Sequence, residues 1–252
     1  MRLCFAWWAF TWGREVEPRA FLQAARDAGS EGVEMLPPPL WPLARELGLA
    51  VPTYSASKPE RGFNDPARHP RLSDEVRRAI ALCAGGGVPN LVVFSGDRRG
   101  RSDADGIAAC VDGLGPLAAE AAAAGVTLLL ELLNSKVDHP DYQCDRTAWG
   151  VEVVRQVASP GLKLLYDAYH MQIMEGDLLR TLKAHLPLIG HVHTAGVPGR
   201  RDLDGRQEVN WPGIAGLLRH LGYDGWVGHE LIPRGDPLAA LAAANRQFGW
   251  SG

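Results

Sequence analysis

No two of the four cysteines stand close together. Cys4, Cys83, Cys110 and Cys144 are scattered over 252 residues without a Cys-x-x-Cys pair. That spacing excludes a zinc knuckle and a disulfide scaffold, and it fits a reducing cytoplasmic compartment. A basic block is also missing. With 26 Lys+Arg against 29 Asp+Glu and a net charge of −3, nothing points to a nucleic-acid partner. No run approaches the roughly 20 apolar residues of a membrane helix, so no membrane partner is expected. The apolar start "MRLCFAWWAFTWGREVEP" is short, aromatic-rich and broken by Gly13, without a small-residue cleavage pattern. It reads as a buried first strand, not a signal peptide. Nor does "FTWGREVEP" form the Gly-rich phosphate loop that a doubly wound nucleotide-binding sheet would carry after its first strand.

What is present is an alternation. Short β-rich runs, "RLCFAW", "GVEML", "VPTYSA", "NLVVFSG", "TLLLELLN", "LKLLYDAYH", "IGHVHTAG" and "GWVGHELIP", are separated by helical patterns. The helices are expected over 17–28, 41–48, 73–86, 104–124, 146–158, 177–186, 211–221 and 237–248. Pro18, Asp103 and Pro212 supply start signals, and Gly29, Gly48, Gly125 and Gly222 supply stops. Gly113, Gly115 and Pro116 predict two helices or a kink within 104–124. Eight βα units in a chain of this length, with no linker or low-complexity break, predict an α/β fold: a (β/α)8 TIM barrel, a single domain over residues 1–252.

Chemistry in such barrels sits at the carboxyl ends of the strands. Four strands end on ionisable groups of metal-ligating type: Glu131 in "LLLELLN", Asp167 in "LLYDAYH", His193 in "GHVHTAG" and Glu230 in "VGHELIP". They are spaced 36, 26 and 37 residues apart, about one βα unit each. One such glutamate is ordinarily a solvated or salt-bridged strand end; four in register point to one divalent ion, Mn, Mg, Co or Zn. By alternation an inward His193 brings His191 inward as well, one layer deeper, where it reads as a support for a neighbouring ligand. A two-histidine zinc site is the competing reading of that pair. An inward Glu230 turns His229 toward the helices, in a structural or a functional role.

The blocks "ELLNSK", "YDAYHMQIMEGDLLRTL", "GHVHTAGVPGRRDLDGRQEVNW" and "LGYDGWVGHELIPRGDP" resemble the xylose isomerase-like barrels, and within them the hydroxypyruvate isomerase-like branch. The resemblance covers nearly the whole chain. It implies a single divalent-metal site at Glu131, Asp167, His193 and Glu230, with Glu131 and Glu230 also acting as paired acid/base glutamates. It further implies substrate contacts at His170 and Arg200. Two departures stand out. His193 occupies a position where hydroxypyruvate isomerases tend to have Gln, and Val137 replaces a glutamate of the ketose 3-epimerases. The histidine-rich pattern of the abasic-site endonucleases is missing.

The resemblance therefore implies a metal-dependent isomerase of a small α-hydroxycarbonyl compound, such as a hydroxypyruvate- or tartronate semialdehyde-like acid or a sugar. Its alternatives are a ketose 3-epimerase, a dehydratase of a keto-polyol, or a barrel that only binds such a ligand. The partner is a small-molecule substrate, with a homo-oligomer left open. Lys136 and His139 follow strand five and either line the pocket or sit on a solvated loop. Asn134 orients a ligand or caps the strand. Trp7, Trp8 and Trp12 either wall the mouth or serve packing and subunit contact. Lys58 and Asn64 fall on a loop that reads as a lid hinged at Gly62.

Overall fold

Helix starts and stops fall where capping residues put them. Glu17 accepts hydrogen bonds from the backbone N–H of Arg19 and Ala20 at 3.0 and 2.6 Å, with Pro18 opening the helix behind it. Ser102 caps the helix that Asp103 begins, accepting from the Asp105 N–H at 3.1 Å. The four glycines predicted to end helices all adopt positive φ. The computed structural model describes residues 1–55 and 57–251. Ala56, the last residue of the run "VPTYSA", lies outside them.

Among the described residues there are eight strands. These are β1 (Arg2–Ala6), β2 (Gly32–Glu34), β3 (Thr53–Ser55), β4 (Asn90–Val93), β5 (Thr127–Glu131), β6 (Leu162–Asp167), β7 (Ile189–Thr194) and β8 (Trp226–His229). The helices between them are α1 (Trp7–Phe10), α2 (Pro18–Asp27), α3 (Trp41–Glu46), α4 (His69–Gly85), α5 (Asp103–Ala123), α6 (Thr147–Val157), α7 (Ala168–Met174), α8 (Leu178–His185), α9 (Trp211–His220) and α10 (Pro237–Gln247). The sheet runs β2-β1-β8-β7-β6-β5-β4-β3, the strand order of a (β/α)8 barrel.

The chain divides into two compact units. The first comprises Met1–Pro52, Asp177–Ala184 and His191–Gly252. Here β1 pairs in parallel with β2 and β8, and β8 with β7, so that Cys4 sits opposite both Gly32 and Gly228, and His193 opposite Gly228. The second comprises Thr53–Gly176 and His185–Gly190, where β3, β4, β5 and β6 pair consecutively in parallel. Leu128, Leu129 and Leu130 are all fully buried, as expected of a parallel strand covered on both faces.

Three expectations are corrected. Helix α5 is one continuous helix through Pro116. Pro116 and Asp112 both face solvent, so water can take the carbonyl that the proline leaves unbonded. The same helix is long and apolar enough to cross a membrane, contrary to the reading that no segment approaches this. Its hydropathy comes largely from alanine, and Leu114, Leu117 and Ala121 are buried within the protein. Finally, Gly62 is a point of close approach, not a hinge. A Cβ there would lie 2.1 Å from the Ser95 carbonyl carbon and 2.2 Å from the Gly96 nitrogen. Its neighbour Asn64 is buried, donating to the Asp97 carbonyl and Gln143 Oε1, both at 2.7 Å, while Lys58 is exposed.

Two outcomes follow from this packing. Gly62→Ala is expected to lower stability by about 1–3 kcal/mol through overpacking against backbone, read from urea unfolding. All four cysteines are free and buried, and burial pushes the Cys83 thiol up to about 12. A thiol reagent at pH 8 should therefore find none that reacts quickly in the native protein, and all four after denaturation.

Candidate active site

In the first unit the polar side chains collect where β2, β7 and β8 end. Glu34 is the last residue of β2, His191 and His193 point the same way from β7, and Glu230 follows β8 directly. Glu34, His191 and His193 are fully buried and Glu230 is 4% exposed. The Nε2 atoms of His191 and His193 lie 2.9 and 3.1 Å from different oxygens of Glu34. The other ring nitrogen of His193, Nδ1, lies 3.2 Å from Glu230 Oε2. Trp8 donates its indole N–H to Glu230 Oε1 at 2.9 Å. Arg200 reaches Glu230 Oε2 through Nη2 and the Glu230 carbonyl through Nε, with its guanidinium 5.4 Å from the Trp8 ring centroid.

The charge states follow from these neighbours. Burial opposes ionisation of Glu230, but Arg200 and His193 outweigh it and bring the carboxyl down to about 2. Burial likewise opposes ionisation of Glu34, and His193 and His191 hold it below the usual carboxylate range. For His191 burial is the larger effect and lowers its pKa despite Glu34. His229 faces the other way, between Thr194 Oγ1 at 2.7 Å and Asn245 Oδ1 at 3.1 Å. Burial brings it down to about 4. Both of its ring nitrogens are engaged by buried neighbours, as a structural role requires.

The second unit holds Glu131, Asp167 and His170, all buried. Glu131 ends β5 and Asp167 ends β6. The run "LKLLYDAYH" does not stay extended. Asp167 caps a short helix, its Oδ1 accepting from the N–H of Tyr169 and His170 at 2.8 and 3.1 Å. His170 is thus on the first turn of α7, not on the strand, and its Nε2 stands 3.6 Å from Asp167 Oδ2. Its Nδ1 meets two donors, the Asn134 backbone N–H at 3.2 Å and the Asn134 amide at 2.7 Å. That amide is oriented unambiguously, because its Oδ1 accepts from the N–H of Val137 and Asp138. His170 Nδ1 is therefore the acceptor, and the ring proton sits on Nε2. Asp138 completes the network, accepting from Asn134 Nδ2 at 2.6 Å and Tyr169 Oη at 2.8 Å.

The remaining candidates separate. The His139 ring lies 5.4 Å from the His170 ring, beside this network. Lys136 is exposed and its ammonium donates to the Ile173 and Met174 carbonyls, closing the end of α7. The tryptophans follow β1 on α1 and just after it. Trp8 serves Glu230, Trp7 lies edge-on to Phe21, and Trp12 is 62% exposed. Glu34 is the residue that the sequence reading missed. It obeys the same strand-end rule as the others, but the pattern of "GVEML" predicts a strand running on to Leu36, whereas β2 stops at Glu34.

The (β/α)8 strand order puts buried carboxylates and imidazoles at the strand ends, where barrels of this architecture carry their chemistry. A family model for xylose isomerase-like TIM barrels matches residues 22–249, and the chain belongs to that family. A human protein named "Putative hydroxypyruvate isomerase" is 34% identical over 239 residues, covering 92% of this chain and 80% of that protein. A 2-oxo-tetronate isomerase of Cupriavidus necator is 42% identical over 121 residues, about half of each chain (48% and 46%). A crystal structure of an AP endonuclease, family 2, from Brucella melitensis superposes with a TM-score of 0.86 at 28% identity, covering 96% and 97% of the two chains.

Replacing Asn134 by Ala strips the side-chain donor from His170 Nδ1 and the acceptor from two backbone N–H groups. The expected cost is about 1–3 kcal/mol in chemical denaturation.

Proposed function

We propose that this chain is a divalent-metal-dependent isomerase of a small α-hydroxycarbonyl acid, of the hydroxypyruvate or 2-oxo-tetronate kind. The observation that carries the reading is Glu230: a buried carboxylate held ionised by an arginine and a histidine at the end of a barrel strand. The relatives named as isomerases of small keto acids support it. So does the donor set. Glu131, Asp167, His193 and Glu230 are all buried and of the kind that can hold one ion. Three carboxylates and one imidazole suit Mn, Mg, Co or Zn. A bound ion would act as a Lewis acid toward the carbonyl and neighbouring hydroxyl oxygens of the substrate.

The residues then have separate tasks. Glu230 enters the reaction ionised and takes the proton from the carbon that bears the hydroxyl. The electron pair left behind forms an enediolate, and the hydroxyl proton passes to the former carbonyl oxygen. Glu131 delivers a proton to the former carbonyl carbon as the carbon that bore the hydroxyl becomes the carbonyl. Exchange with water restores both carboxyl groups. His170, with its proton on Nε2, donates to a substrate oxygen, and Arg200 supplies the cation for the substrate carboxylate. His193 in place of Gln keeps ketose 3-epimerisation as a second reading.

Glu131→Gln and Glu230→Gln should each lower kcat by roughly 10²–10⁴ while circular dichroism stays unchanged. Chelation should abolish activity and added Mn²⁺ restore it. Incubation with hydroxypyruvate and Mn²⁺ in D₂O should place deuterium on carbon with no loss of water. Dehydration would instead establish a lyase, and binding without exchange a sensor. Turnover of ketohexoses but not of hydroxy-keto acids would establish the epimerase.

A further inference from the structure

In the second unit the loop that follows β5 turns back against the chain leaving β4. Its residues 141–143 run antiparallel to 96–98. The Gln143 N–H donates to the Gly96 carbonyl at 3.0 Å, and the Arg98 N–H to the Asp141 carbonyl at 2.6 Å. Tyr142, 1% exposed, is thereby carried inward. Its hydroxyl lies between two backbone groups, accepting from the Ser95 N–H at 3.1 Å and donating to the Glu131 carbonyl at 2.9 Å. The direction of both bonds is fixed, because an amide N–H only donates and a carbonyl only accepts. Ser95 secures the loop as well, its Oγ accepting from the Cys144 N–H at 2.9 Å.

The two groups that the hydroxyl joins belong to one ladder. β4 and β5 pair in parallel up to Val93 opposite Leu130, and the Thr127 N–H donates to the Pro89 carbonyl at 2.8 Å. From there a parallel ladder advances two residues per bond. Donors on β4 therefore face carbonyls on β5 in the order Leu91 to Thr127, Val93 to Leu129, and next Ser95 to Glu131. At that next place the phenol oxygen is inserted, so the chains are held one atom apart where β5 reaches Glu131. On its other side β5 stays closed, the Leu132 N–H donating directly to the Leu165 carbonyl at 3.2 Å. We propose that Tyr142 is a positioning residue for Glu131: its hydroxyl is a spacer in the β4–β5 ladder that sets the backbone of Glu131 and so aims its carboxylate. The inference rests on the reading of Glu131 as the proton-delivering group and deepens it. Without the oxygen the chains can close to a direct Ser95–Glu131 bond, which turns the Glu131 carbonyl and swings its side chain. A shift of about 1 Å in a reacting group costs roughly 100-fold in rate.

Amide hydrogen exchange of the wild-type protein tests the bond itself. Ser95 should be as protected as Val93, and free exchange at Ser95 overturns the proposal without any variant. The second test is Tyr142→Phe, which keeps the ring and removes only the oxygen, made alone and together with Glu131→Gln. It is read in two ways: turnover of hydroxypyruvate with Mn²⁺, and Mn²⁺ affinity by electron paramagnetic resonance. Alone, Tyr142→Phe should lower kcat roughly 10- to 100-fold with KM nearly unchanged, and weaken Mn²⁺ binding about 10-fold. In the Glu131→Gln background it should add nothing to either loss, because it acts through that carboxylate. Equal losses in both backgrounds, or a Tyr142→Phe protein that does not fold, make the hydroxyl a structural group only and overturn the proposal. If Glu131→Gln impairs both readouts and Tyr142→Phe neither, the role of Tyr142 alone fails. If Glu131→Gln leaves both unchanged, the role of Glu131 fails and takes this proposal with it. A wild-type protein without turnover, but with the expected cycle in Mn²⁺ affinity, removes the isomerase reading and keeps Tyr142 as the residue that places Glu131.

Discussion

A carboxylate removed from water keeps its charge only where the protein itself supplies the compensating partners. Glu34 and Glu230 both meet this condition, and they meet it through one side chain. His193 places Nε2 3.1 Å from Glu34 and Nδ1 3.2 Å from Glu230, so a single imidazole spans two buried anions. It cannot neutralise both, and the others divide the work. His191 sits on Glu34, while Arg200 and the Trp8 indole sit on Glu230. Removing one partner of such a set leaves a charge buried without compensation, the costly case for an interior ion pair.

That arrangement makes demands on the backbone. Side chains from three strands can meet only where the positions between them are small, and β1 and β8 comply: Ala6 lies beside Glu34 and Gly228 beside His193. The loop after β7 has its own constraint. Gly196 and Arg201 exchange two backbone hydrogen bonds, at 2.7 and 3.1 Å, which closes a tight turn. Inside it Gly199 and Arg200 adopt φ of 86° and 57°. A left-handed arginine costs about 1–2 kcal/mol. Here that strain is held by the Ile232 N–H, which donates to the Arg200 carbonyl at 2.7 Å. The conformation aims the guanidinium back at Glu230. Strain retained at such a place marks a residue whose direction matters more than its comfort.

The sequence was legible wherever a property is local. Capping residues, glycine stops and apolar strands ending on Glu131, Asp167, His193 or Glu230 depend only on neighbours along the chain, and those elements were read correctly to within a few residues. Glu34 was missed because a three-residue strand carries too little pattern to reveal its end. The helix at Ala168 was hidden because "AYHM" is as apolar as the strand before it, and only the two hydrogen bonds to Asp167 disclose the change. Asn64 fits the pattern of a lid residue, because polar residues near glycine suggest a mobile loop. Its partners include Gln143, 79 residues away, and no local pattern encodes such a bond.

The His-x-His of β7 shows where the two kinds of information meet. Alternation along a strand requires both rings to face the same side, and they do, with centroids 4.9 Å apart and planes at 86°. Alternation alone would allow both to serve one zinc ion. What they share is Glu34, whose two oxygens each lie close to one Nε2. The difference lies in their other nitrogens. Only His193 has an Nδ1 turned toward Glu230, because β7 carries it one layer closer to the strand ends than His191. Identical residues two apart thus acquire different neighbours from depth along the strand.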